Sequence, residues 1–90
     1  MSAVLTKLNR ADRYSKAEWR NAKWELWLWQ HSTTASHFSV ELYRLIAKAD
    51  IENKLRLHMA YPCFVDCFHE WQERDPAEFF ADVLRPVIKF

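Results

Sequence analysis

The stretch SKAEWRNAKWELWLWQH, residues 15–31, decides the fold of this chain. Ser15 is followed three positions later by Glu18, the spacing of a capping box. The hydroxyl can accept from the amide three residues on, while the carboxylate reaches back to the cap's own amide. Tyr14 and Trp19 fall on either side, at the two positions of a hydrophobic staple. The spacing predicts a helix from Lys16 to near His31, where Ser32, Thr33 and Thr34 interrupt it.

Four of the chain's five tryptophans lie in this one helix. At about 100° per residue they do not share a face. Trp19, Ala22, Leu26 and Trp29 make one stripe. Ala17, Trp24 and Leu28 make another on roughly the opposite side. Between them run a basic edge of Lys16, Arg20 and Lys23 that also carries Trp27, and an acidic edge of Glu18 and Glu25. A helix apolar on two sides is either enclosed within a core or keeps one side for a partner.

Working outward, each flanking segment carries its own helix signal. Thr34 or Ser36 is the expected cap of a second helix, in which Phe38, Leu42, Leu45, Ile46 and Ala49 fall on one stripe. Asp50 is placed to cap a third helix over Ile51–Ala60, with Ile51, Leu55, His58 and Met59 on one side. Pro62 opens a fourth, since its missing amide costs nothing in a first turn. There Phe64, Cys67, Phe68 and Trp71 gather on one face, and Asp66, Glu70 and Glu73 form the expected solvated face. Asp75-Pro76-Ala77-Glu78 starts a last short helix burying Phe79, Phe80, Val83 and Leu84. Residues 2–12 fit a short helix or a strand, and the tail from Pro86 fits an extended segment. The expected fold is all-α: one domain over residues 1–90, four to six short helices around the tryptophan-rich helix.

Composition narrows the function. The chain has 90 residues, half of them hydrophobic, and no glycine. Without glycine there is no ordinary route to a phosphate-cradling loop or a dinucleotide fingerprint. No apolar stretch is long enough to span a membrane, and no charged-then-apolar leader pattern opens the chain. With two cysteines and no secretion signal, a reduced cytoplasmic setting is expected. The formal net charge is only +1, but it is unevenly spread. Lys7, Arg10, Arg13, Lys16, Arg20 and Lys23 crowd the first segment, and Asp66, Glu70, Glu73, Asp75, Glu78 and Asp82 crowd the last. The two ends can pair within one molecule, pair head to tail in a dimer, or present two partner surfaces.

The residues that could carry chemistry make no complete site. Cys63 and Cys67 are four apart and share a helix face, so both thiolates could reach one ion. His69 points about 200° away from Cys67 on the same helix, and His58 would have to reach around Pro62. The cysteines are therefore expected to pack as small hydrophobes, with no metal, no cofactor and no catalytic residues. Residues 38–60 imitate a helix-turn-helix, offering Asn53, Lys54, Arg56 and His58 to a groove beside a basic arm of Lys7, Arg10, Arg13 and Lys16. Near-neutral charge and Glu52 within that face weigh against it.

The segment LIAKADIENKLRLHMAYPCFVDCFHEW, residues 45–71, resembles small helical proteins of bacteria and their phages or mobile elements. Its Ala49-Asp50, Asn53, Leu57, Ala60-Tyr61-Pro62, Val65 and Trp71 carry the resemblance, over about a third of the chain. The resemblance implies a small accessory protein that blocks or adapts a larger machine, and it carries no activity across. Together these observations lead to the expectation of a non-catalytic protein-binding module. Trp24, Trp27 and Leu28 are its expected apolar anchors, with Arg20 and Lys23 steering an acidic partner. The alternatives are a nucleic-acid-binding regulator and a homodimer that hides the second tryptophan stripe.

Overall fold

A computed structural model describes residues 10–83 of the chain; the readings for residues 2–9, including Lys7, for Leu84 and for the tail lie outside the described residues. After a 3₁₀ turn at Arg10–Arg13 come α1 (Lys16–His31), α2 (Phe38–Lys48), α3 (Ile51–Ala60), α4 (Pro62–Glu73) and α5 (Pro76–Phe79). The fold is all-α, with no strand among the described residues.

Local chemistry sets most helix ends. Both halves of the Ser15/Glu18 capping box form, each at 3.1 Å. Tyr14 and Trp19 stack with ring centroids 5.9 Å apart. Beyond α1, Ser32 Oγ accepts from the amides of Thr34 and Ala35 and turns the chain. The residue capping α2 is His37 rather than Thr34 or Ser36, and its side chain caps nothing. Its imidazole is instead bonded to Glu25, which ties the start of α2 to α1. Asp50 Oδ1 accepts from the Asn53 amide at 2.8 Å and starts α3. Tyr61 is both the last cap of α3 and the first of α4. Asp75 caps α5 through the Glu78 amide at 3.1 Å.

The core forms where α2 and α4 pack against the Trp19–Ala22–Leu26 stripe of α1. Leu26, Tyr43, Ile46 and Cys67 are fully enclosed. Burying each large apolar side chain contributes about 1.5–3 kcal/mol. Trp29 stacks on Tyr43 with centroids 6.2 Å apart and lies at the same distance from Phe68. Phe79 and Phe80 close one end of this cluster, and Val83 is buried as well.

Two expected faces are corrected. In α2 the buried residues are Val40, Leu42, Tyr43 and Ile46, while Phe38 and Leu45 are exposed. The Tyr43 hydroxyl donates to the Ala22 carbonyl of α1 at 2.8 Å. A buried hydroxyl needs such a partner, and meeting it turns the Val40–Tyr43 side inward. In α4, Asp66 and Glu70 are buried, not solvated, with only Glu73 of that trio exposed. The 3₁₀ turn covers them. Arg10 binds Glu70 at 2.8 Å and Glu73 at 2.9 Å, and Arg13 and Tyr14 both reach Asp66. Part of the charge asymmetry is thus satisfied within the molecule, as Lys23 with Asp82 at 3.0 Å also illustrates.

Candidate interaction surface

α3 is an amphipathic helix turned outward. Its apolar stripe, Ile51, Leu55 and Met59, repeats every four residues and so lies along one face. These three side chains are 80%, 64% and 84% exposed. Leu57, on the opposite side, packs against the core. The outward orientation follows from which neighbours α3 has. It leans on α4, and Lys54 folds inward over the Phe68 ring, 5.6 Å from its centre.

Open grooves border α3 on both sides. One, of about 380 Å³, is lined by Leu45, Lys48, Ala49, Asp50, Asn53 and Leu57. The other, of about 270 Å³, runs between α3 and α4 along Ile51, Leu55 and Val65 and ends in Lys54, His58, Asp66 and His69. Phe38 and Tyr61 extend the apolar surface beyond the grooves, their rings 5.6 Å apart. On the far flank of the stripe, Arg56 reaches Glu52 at 3.1 Å and Asn53 at 3.3 Å.

The polar end of the second groove is organised around one carboxylate. Asp66 accepts from His58 Nε2 at 3.0 Å, from Arg13 at 3.2 Å and from the Tyr14 hydroxyl. Burial and then the Asp66 bond hold the Tyr14 phenol well above its usual range, so it stays a donor. His69 Nε2 is buried and has no hydrogen-bond partner among the described residues. Burial first, then the charges of Arg10 and Lys54, lower its pKa. Burial pushes the Cys63 thiol up to about 11 and the Cys67 thiol up to about 12. Both thus remain protonated at neutral pH, which disfavours a nucleophilic thiolate. Cys63 Sγ lies 3.7 Å from the Glu18 carbonyl. Among the described residues, no group of three histidine, cysteine or acidic side chains is arranged to hold a metal ion. No described helix is long and apolar enough to cross a membrane.

The residues singled out on the tryptophan helix are distributed differently. Trp24 and Trp27 stack with centroids 5.3 Å apart, and Trp27 stacks on His31 at 4.6 Å. Trp24, Trp27 and Leu28 are half-buried, and Arg20 is exposed. Lys23 is drawn inward, donating to the Phe79 carbonyl at 2.8 Å and to Asp82. It is not free to steer a partner. The cations of the helix-turn-helix alternative are similarly engaged. Arg10 and Arg13 hold the acids of α4, Lys54 covers Phe68, and Arg56 binds Glu52. Asn53 gives its amide to Asp50 and its side-chain oxygen to Arg56, whereas Lys16 is exposed. Sequence periodicity put Ile51, Leu55, His58 and Met59 on one side; the packing turns His58 inward onto Asp66 and leaves the other three facing outward.

No protein family matches this chain, and no curated protein or solved structure matches it significantly.

Proposed function

We propose that this protein is a non-catalytic protein-binding module that engages its partner through the outward face of α3. The observation that carries the proposal is the exposure of Ile51, Leu55 and Met59 on one stripe between two grooves. Keeping three large apolar side chains in water forgoes about 1.5–3 kcal/mol each that burial would supply. A contiguous apolar patch with a polar rim is the usual mark of a contact surface. The half-buried Trp24–Trp27–Leu28 edge, with Arg20 beside it, is a second and smaller surface of the same kind. An adaptor or inhibitor of a larger bacterial or phage assembly in the cytoplasm is the specific form suggested by the resemblance of residues 45–71.

The test compares the wild-type chain with Leu55→Glu as baits in extracts of the source cell. A protein retained by the wild type and lost with the variant is expected. Leu55 is largely exposed, so the variant should melt within about 0.5 kcal/mol of the wild type. Equal capture by both chains would overturn the assignment of this face. A gel shift with DNA or RNA that weakens steeply with added salt would favour the nucleic-acid alternative instead.

A further inference from the structure

The charge pattern around the α3 stripe fits one occupant in particular. We propose that the stripe pairs with the same stripe of a second copy of this chain, α3 antiparallel to α3, about a two-fold axis at Leu55. This rests on the protein-binding role proposed above and names its partner.

The stripe reads the same from either end in size and polarity. Leu55 is at its centre, with Ile51 four residues before and Met59 four residues after. Turned end for end, Ile51 meets the partner's Met59 and Leu55 meets the partner's Leu55. A two-fold axis perpendicular to the helices also sets each flank of the stripe against the same flank of the other copy. One flank carries Glu52 and Arg56, which are already bonded at 3.1 Å within one chain. At 1.5 Å per residue, Glu52 lies about 4.5 Å before Leu55 along the axis and Arg56 about 1.5 Å after it. After the rotation, Arg56 and the partner's Glu52 lie on the same side of centre, offset by only about 3 Å. Two intermolecular ion pairs follow by symmetry; the two Arg56 also lie about 3 Å apart along the axis, so the flank reads acid, base, base, acid, with two attractions against one repulsion.

The other flank carries Lys54 and His58, which would repel their symmetry mates if they projected outward. They do not. Lys54 Nζ lies over Phe68, and His58 Nε2 is bonded to Asp66 at 3.0 Å. Both groups are directed into their own molecule. A parallel pairing lacks this fit, because it sets the Glu52–Arg56 flank against the Lys54–His58 flank. With Lys54 and His58 turned into their own molecule, Glu52 and Arg56 would then meet no outward-directed partner charge, and the two intermolecular ion pairs are lost. The grooves beside α3 leave room for the partner's Leu55 and Met59. A contact centred on a helix of 10 residues belongs at the small end of specific interfaces, so a weak dimer is expected.

The test is sedimentation of the full chain from about 1 to about 300 μM, a range that brackets micromolar affinity. A reversible monomer–dimer equilibrium is expected for the wild type, and a monomer throughout for Leu55→Glu. Glu52→Arg and Arg56→Glu should each weaken self-association by about tenfold, because like charges then face each other. Mixing these two variants should restore the dimer, since the wholly basic flank of one meets the wholly acidic flank of the other. Both are exposed substitutions and should leave the melting temperature within about 4 °C. A wild-type monomer at every concentration would overturn the proposal, as would a dimer indifferent to Leu55→Glu or a mixture that stays monomeric. If the wild type is monomeric yet Leu55→Glu still loses a captured protein, the protein-binding role stands with a different partner. If neither effect is seen, both fall.

Discussion

Lys23 holds Phe79 in two ways: its ammonium donates to the Phe79 backbone carbonyl at 2.8 Å and lies 4.6 Å from the centre of the Phe79 ring. The two residues are 56 apart in sequence, so this contact fastens the start of the C-terminal segment onto the tryptophan helix. Its side chain is only 12% exposed, and its bond to Asp82 completes the clasp. Lys23→Met keeps the aliphatic stem and removes the charge, leaving the Phe79 carbonyl without this donor. A loss of about 1–3 kcal/mol is expected in denaturant unfolding. Amide exchange should quicken first around α5, which has few other anchors.

Asp66 joins three elements, so its removal should be felt beyond α4. Asp66→Ala strands Tyr14 and His58 and leaves Arg13 without its partner, at a cost of about 3–5 kcal/mol in urea unfolding. Tyr14→Phe removes one donor alone and should cost about 1–2 kcal/mol. If Asp66→Ala cost less than Tyr14→Phe, the carboxylate would not be the organising group.

The half-buried tryptophans should separate by energy as they separate by what they pack against. Trp29→Ala removes a ring packed on Tyr43, Phe68 and Trp71, and about 3–5 kcal/mol should be lost. Trp24→Ala removes a half-buried ring whose stacking partner is Trp27. Its loss should be about 1–2 kcal/mol, near the scale of an aromatic pair plus partial burial. Equal losses for the two variants would contradict this division.

Acid should destabilise the fold through His69 before the carboxylates titrate. Burial holds its pKa below the ordinary 6.5 in the folded chain. As pH falls through 6.5, the unfolded chain takes up the proton first. The stability contributed by neutral His69 is therefore complete above 6.5 and lost as pH falls toward the folded value. Glu73 acts in the same direction lower down, because its bond to Arg10 lowers its pKa from 4.5. Urea midpoints at pH 7.5, 6.5 and 5.5 should decline, and His69→Gln should flatten the decline between the last two. A variant with the same slope as the wild type would remove His69 from the account.

The helix starts were legible because their causes are local. Ser15 with Glu18, Asp50 with Asn53, and Asp75 with Glu78 each close a bond within three residues. The hidden acids were illegible because what hides them is remote: Arg13 and Arg10 lie 53 and 60 residues from Asp66 and Glu70. The α2 stripe was misplaced for the same reason, since the Tyr43 hydroxyl finds its acceptor on Ala22, 21 residues away. On α1, spacing separated Trp19 and Trp29 from Trp24. It gave no sign that Trp24 and Trp27 would stack, or that Lys23 would turn inward. For α3 the period identified an apolar face, but whether a neighbour covers it depends on the path of α4 and α2.

Tyr61 closes α3 and opens α4 with one residue, its amide donating back to the Leu57 carbonyl at 2.7 Å. At the other end of α3, only Ala49 and Asp50 separate it from α2. Connections this short limit how far the helix can roll or swing against its neighbours. In the association proposed above, the outer stripe is presented over a restricted range of angles, and little freedom remains to be lost on docking. Association should be governed by fit rather than by folding, with a rate set by encounter and a lifetime set by the few side chains that touch.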